Sequence, residues 1–342
     1  MVDVSKNTLC DKFHTLKMSA VGIVIIGRNE GERLVRCIES LREHVRYSIY
    51  VDSNSTDGSL QAAKAMKVQT LALDMSLPFT AARARNAGFA ALLEAFPQTG
   101  FVQFVDGDCE VIKGWLDTAI NFLQKNPKVA IVSGQLNERF PDKTIYNTLC
   151  DLEWIMPLGE VKACGGNALM RVNAFKAAGG FLPTLIAGEE PELCVRLRKQ
   201  GWKVWHLSQA MMLHDANMTT FAQWWKRTMR AGYAFAEGAY LHGKAPEYHW
   251  VAESRRAWVW GAVIPIIILG LALVKPVWAI LLVLIYPLQW LRMAFNIQQS
   301  FKKASLQAFF LTIGKFAEVL GQIKFFLHRF TNGQSKIIEY RK

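Results

Sequence analysis

The sequence predicts an α/β protein built on a parallel sheet, followed by a helical hairpin of membrane-spanning character. Three observations carry this. Short apolar runs, of which Val21-Gly22-Ile23-Val24-Ile25-Ile26 is the first, stop abruptly at polar clusters; stretches of helical spacing separate them; and the last third of the chain holds two long uncharged runs.

Residues 1–19 are polar and read as an N-terminal arm, 20–248 as the globular domain and 249–342 as a helical tail. The first strand, 21–26, is apolar throughout, as a strand covered on both faces should be, and Arg28-Asn29-Glu30-Gly31 ends it. Leu34, Val35, Ile38 and Leu41 then keep helical spacing. A second strand, 47–51, runs into Asp52-Ser53-Asn54-Ser55-Thr56-Asp57-Gly58, a turn-forming cluster. A helix over 81–96 leads to a third strand, 101–105, which stops at Asp106-Gly107-Asp108, and a further strand covers 130–132. In such sheets ligands bind where the carboxyl ends of the strands converge, and three of these ends carry polar clusters. Gly27-Arg28-Asn29-Glu30-Gly31 lacks the glycine spacing of a dinucleotide fingerprint, which argues against hydride-transfer chemistry.

Residues 257–274 carry no charge, and after Lys275 a second uncharged run covers 276–291. Each is close to the roughly 17–25 residues that cross a bilayer as a helix. A turn at Val274-Lys275-Pro276 makes them a hairpin, with Trp258, Trp260, Trp278, Tyr286 and Trp290 as interface anchors. Arg255 and Arg256 precede it and Arg292, Lys302 and Lys303 follow it, so the positive-inside rule places both flanks, and the globular domain, on the cytoplasmic side of an inner membrane. Residues 292–330 mix apolar stretches with Lys315, Lys324 and Arg329, as an amphipathic helix on an anionic leaflet does, with a third span as the other reading.

The formal net charge is +12, but the basic residues gather beside the tail without any zinc-finger or RNP pattern, so the expected partner is a membrane surface and not nucleic acid. Six cysteines without CxxC spacing point to a reducing compartment and to no structural zinc.

Two acidic clusters carry the chemistry. Asp106 and Asp108 sit on alternate positions after an apolar strand, where both can approach one hard divalent cation, Mg2+ or Mn2+. Glu189-Glu190-Pro191-Glu192-Leu193 opens a helix, with Pro191 suited to its first turn. These acids either complement the helix dipole or, at Glu190, take a proton from a hydroxyl. Gly165-Gly166-Asn167 upstream permits close backbone approach to a ligand and marks the acceptor side.

From about Val21 to Gly243 the chain resembles the family 2 glycosyltransferases. The likeness rests on five motifs in order: the strand ending Gly27-Arg28-Asn29-Glu30; Val51-Asp52-Ser53-Asn54-Ser55-Thr56-Asp57-Gly58-Ser59; Ala84-Arg85-Asn86-Ala87-Gly88; Asp106-Gly107-Asp108; and Gly188-Glu189-Glu190-Pro191-Glu192-Leu193. The resemblance implies a GT-A fold and a donor site drawn from Arg28, Asn29, Glu30, Asp52, Ser53, Asp57, Arg85, Asn86, Asp106, Gly107 and Asp108. In it Asp52 recognises the base, Arg85 meets the diphosphate, and Asp106 with Asp108 holds metal and sugar. It makes Glu190 the base, where many relatives carry Asp, with Glu189 or Glu192 as its substitute. His214 resembles a histidine that completes the metal site in some relatives; a plain core or surface histidine is the other reading. Ser53 stands where a second acid is common, which leaves the nucleotide open.

Gln223-Trp224-Trp225-Lys226-Arg227 departs from the Gln-x-x-Arg-Trp order of processive members, which implies addition of a single sugar. Trp224 and Trp225 suit either a basic aromatic surface near lipid phosphates or ordinary helix packing. The function expected is inverting, metal-dependent transfer of one sugar from a nucleotide-diphosphate sugar to a lipid-linked or glycan acceptor at the membrane, in bacterial cell-envelope or exopolysaccharide synthesis. The alternative is a catalytically silent nucleotide-sugar-binding scaffold.

Overall fold

The computed structural model describes residues 21–331 and 338–339; the expected N-terminal arm lies outside them. In chain order the described residues form β1 (Val21–Gly27), α1 (Glu32–Ser40), β2 (Ser48–Asp52), α2 (Ser59–Ala65), β3 (Gln69–Ala72), α3 (Ala81–Ala95), β4 (Phe101–Asp106), β5 (Cys109–Val111) and α4 (Trp115–Lys125). β6 (Val129–Glu138), α5 (Ile145–Glu153), β7 (Gly159–Val161), β8 (Ala168–Arg171), α6 (Val172–Ala177), α7 (Glu189–Lys199) and β9 (Lys203–His214) follow. The rest is helical: α8 (Phe221–His242), α9 (Val251–Val274), α10 (Pro276–Asn296) and α11 (Phe301–Phe330).

The chain parts into two compact units. One takes the residues up to Phe140 with Trp154–Thr184 and Glu189–Ala216; the other takes Pro141–Glu153, Leu185–Gly188 and everything from Asn217. The first unit is a mixed sheet in the order β3-β2-β1-β4-β8-β6-β9-β5, with β7 on β9. β3, β2, β1 and β4 run parallel, whereas β8 is antiparallel to β4 and β6. The apolar runs of β1, β2 and β4 split by parity, as strand geometry dictates. Val24, Ile26, Ile49, Val51, Val102 and Phe104 enter one core, and Ile23, Ile25, Tyr50 and Val105 enter the other. Helix α3 lies directly on the sheet at Gly88, where a Cβ would stand 2.4 Å from Val24 and 2.8 Å from Val51.

In the second unit α8 and α11 meet almost backbone to backbone. A Cβ on Gly321 would fall 1.9 Å from the Met229 carbonyl oxygen, and one on Gly232 would fall 2.1 Å from that of Glu318. Gln223 caps α8 reciprocally with Thr220, which accounts for its place in the chain without any role in a ligand site. Trp224 is buried against Phe221 and Phe310, so for this tryptophan helix packing is the reading that holds.

The hairpin forms about Lys275: the Tyr286 hydroxyl donates to the Trp260 carbonyl at 2.6 Å, tying the two arms together. Both helices are long and apolar enough to cross a membrane, and most of their surface is uncovered, with Leu273 89% and Val277 67% exposed. Residues 301–330 form one continuous helix that does not meet that length-and-hydropathy test.

Candidate active site

The carboxyl ends of β1, β2 and β4 lie side by side: Gly27 is level with Asp52 and Ile26 with Asp106. Asp52 is buried, its Oδ1 accepting from the Tyr50 hydroxyl at 2.9 Å and its Oδ2 from the Ser55 N–H at 2.9 Å. Burial and the Asp52 charge push the Tyr50 hydroxyl far above its ordinary range, so it stays a donor. Ser53, also buried, donates its N–H to Gly27.

Asn29, at φ 58°, stitches the first turn to the second: its N–H donates to Ser55 Oγ at 2.9 Å and its Oδ1 accepts from the Thr56 N–H at 2.8 Å. Glu30 donates its N–H to Ser59 Oγ at 3.2 Å, and its carboxylate pairs with Arg33 at 2.8 Å. Asp57 accepts from the Ser59 N–H and hydroxyl at 3.0 and 2.7 Å. Burial works against the Asp57 charge, but these bonds outweigh it and hold its carboxyl below the usual range. Arg28 lies 4.5 Å over the Phe79 ring.

Arg85, 3% exposed, reaches from α3 under these strand ends. Its Nη2 donates to Asp106 Oδ1 at 2.7 Å and its Nη1 to Glu189 Oε1 at 2.5 Å. Burial opposes the guanidinium charge, and the two carboxylates overcome that opposition and raise its pKa. Gly166 closes over it: a Cβ there would sit 2.4 Å from Arg85 Nη2. Asn167 clamps Asp106, accepting from its N–H at 2.8 Å and donating to its Oδ2 at 3.2 Å. The neighbouring Asn86 faces elsewhere. Its amide makes a paired contact with the backbone of Phe181, at 2.7 and 3.0 Å.

After Asp106 the chain turns at Gly107, whose N–H donates to Ile26, and β5 begins. The turn separates the two aspartates. Asp108 is buried beside His214, Oδ2 to Nε2 at 3.2 Å, and Cys109, Asp108 and His214 present ligand atoms within 4.8 Å of one another. Asp106 is not part of that cluster. Burial, then the charges of Asp108 and Asp106, push the Cys109 thiol well up, so it remains protonated.

Glu190 is 2% exposed at the start of α7. Its Oε1 accepts from the Cys164 N–H at 2.8 Å and lies 3.0 and 2.8 Å from the Cys164 and Cys194 thiols; its Oε2 accepts from the Gly165 N–H at 2.9 Å. Burial raises its pKa against the pull of these donors. Glu192 instead binds Arg196, which also donates to the carbonyls of Ala178 and Gly180.

Residues 22–178 match the sequence family described as Glycosyl transferase family 2. The chain is 29% identical over 173 residues to the pre-mycofactocin glycosyltransferase of Mycobacterium tuberculosis, a match that covers 47% of this chain and 35% of the relative; the chain thus spans about a third of that protein. It is 34% identical over 62 residues to the succinoglycan biosynthesis protein ExoA of Rhizobium meliloti, covering 18% of this chain and 19% of the other. Among solved structures it resembles the mannosyltransferase PcManGT of Pyrobaculum calidifontis, in complex with GDP-Man and Mn2+, at a TM-score of 0.60 and 16% identity over 89% of this chain and 87% of that one. The fold is therefore GT-A.

Within this fold the motifs read from sequence separate by role. Arg85 brings Asp106, Glu189 and Gly166 together; Asp108 stands with His214; Asn29, Asp57 and Asn86 brace turns. Sequence reasoning missed Tyr50 and Glu138. Tyr50 carried a signal, being the one aromatic hydroxyl in β2, two residues before Asp52. Glu138 carried none, because the strand expected over 130–132 continues in fact to 138.

Proposed function

We propose that the chain transfers one sugar, with inversion, from a nucleotide-diphosphate sugar to a lipid-linked or glycan acceptor at a membrane surface. The observation that supports it best is Arg85: one buried guanidinium joins the acid that ends β4 to the acid that opens α7, at 2.7 and 2.5 Å. A diphosphate needs a fixed cation, and an arginine already held on two sides loses little freedom in meeting it.

The donor set fits a hard divalent cation. Asp108 offers oxygen and His214 nitrogen at a separation of 3.2 Å. Asp108 and His214 would hold Mg2+ or Mn2+, which when bound neutralises charge on the departing diphosphate. Asp52 and the turn over 53–57 cradle the base, with Tyr50 fixing the Asp52 carboxylate. Glu190 takes the proton from the acceptor hydroxyl. Its raised pKa suits a base, and the two thiols on its Oε1 are weak donors whose places a hydroxyl fills better. Glu189 keeps Arg85 in register. The exposed apolar hairpin inserts in the inner membrane with the GT-A domain on the cytoplasmic side, so the enzyme searches a leaflet for its acceptor.

The test is a thermal-shift panel of UDP-, GDP- and dTDP-sugars with and without Mn2+ on detergent-purified protein. A metal-dependent shift lost in Asp108→Asn, together with transfer lost in Glu190→Gln while donor binding persists, is the expected result. Folded protein that binds a donor but transfers nothing would leave the scaffold reading in place of the proposal, and folded protein that responds to no donor would overturn both.

A further inference from the structure

Resting on that reading of Asp108 and His214, we infer that Glu138 is a positioning residue for the cation site: it fixes the ring and tautomer of His214 so that Nε2 meets the metal.

The ends of three strands produce the arrangement. His214 closes β9, level with Cys109 on antiparallel β5 and with Glu138 on parallel β6. The imidazole is thereby bracketed by two buried carboxylates, Asp108 Oδ2 at 3.2 Å from Nε2 and Glu138 Oε2 at 3.6 Å from Nδ1. Glu138 is 3% exposed and immobilised from both sides, its Oε1 accepting from the Phe140 N–H at 3.2 Å and its Oε2 from the Ala216 N–H at 3.1 Å. Trp154 meets the ring edge to face at 4.5 Å and limits its rotation. The backbone locks the same corner, with the Arg139 N–H donating to the His214 carbonyl at 2.8 Å and the Asp215 N–H to the Asp108 carbonyl at 3.0 Å.

A neutral imidazole carries one N–H and one lone pair, so whatever faces Nδ1 decides what Nε2 can do. An anionic acceptor on the Nδ1 side draws the N–H there, leaves the Nε2 lone pair aimed at the Asp108 side, and makes that nitrogen a stronger donor to a metal. The charge of Glu138 at a buried strand end, against a ring nitrogen, is what singles it out.

The test uses the full chain in detergent, with Mn2+ titrated by electron paramagnetic resonance in the presence of GDP or UDP, and with 15N NMR of the histidine ring. Glu138→Gln should weaken Mn2+ binding about 10–100-fold and shift the His214 tautomer away from Nδ1–H, with metal-free nucleotide affinity unchanged. Glu138→Asp, which keeps the charge, should recover part of the loss and covers the case in which the Gln variant does not fold. His214→Ala sets the scale. If His214→Ala loses Mn2+ while Glu138→Gln binds it as the wild type does and keeps its tautomer, Glu138 is structural only and the inference falls by itself. If neither His214→Ala nor Asp108→Asn affects Mn2+, the metal reading falls first and the inference goes with it.

Discussion

Arg85 Nη1 donates to Glu189 Oε1 at 2.5 Å, across 104 residues of sequence and inside the protein. Because the same guanidinium holds Asp106, removing it leaves two acids without their shared cation. Breaking a buried ion pair on one side costs about 3–5 kcal/mol. Arg85→Met should lower stability by about that amount in denaturant titration. Arg85→Lys, a single ammonium that cannot fork to both acids, should keep part of the stability and lose donor binding.

Asn86 separates a bracing role from a ligand role. Its amide satisfies both the N–H and the carbonyl of Phe181. Asn86→Ala should cost about 1–3 kcal/mol for polar groups left unpaired and leave the affinity of the remaining folded protein for nucleotide sugar intact. A loss of affinity at unchanged melting temperature would place Asn86 on the donor instead.

Glu237, on α8, gives a pH signature. Burial pushes its carboxyl up to about 7, and its Oε2 is buried without a hydrogen-bond partner. The folded state therefore holds the proton more tightly than the unfolded chain does. The stability this contributes is complete below the unfolded value, about 4.3, and is lost as pH rises through about 7. Glu237→Gln should melt above the wild type at pH 8, by the equivalent of at most about 4 kcal/mol, with the gap narrowing towards pH 5.

Gly321 and Gly270 form a matched pair. A Cβ on Gly321 would strike the Met229 carbonyl at 1.9 Å, whereas one on Gly270 would meet nothing within 4 Å. Gly321→Ala should destabilise by about 1–3 kcal/mol or more, and Gly270→Ala should be neutral or slightly stabilising in the same thermal assay.

Much of the first unit was legible because parallel strands buried on both faces must be apolar, and β1, β2 and β4 are. The ends of those strands were equally plain, since a strand that stops at Asp52 or Asp106 leaves a visible polar break. The short strands β3, β5, β7 and β8 were not, because three or four residues carry no period. Within the site, spacing suggested that Asp106 and Asp108 share a cation. Between them the chain turns at Gly107, and their side chains meet Arg85 and His214 respectively. Long-range partners such as Glu138, 76 residues before His214, depend on strand order, and no local pattern encodes that.

The contact between α8 and α11 bears on how a soluble form of this protein can be made. Ser254 and Gln322 exchange hydrogen bonds at 2.6 and 3.1 Å from either side of the apolar hairpin. Cutting the chain after residue 248 would strip α8 of the helix its glycines are shaped to meet and leave a new sticky surface. The hairpin packs on α11 as well, a Cβ on Gly261 falling 2.2 Å from the Lys315 carbonyl oxygen, so the edit that preserves the helical unit trims only the tip about Lys275.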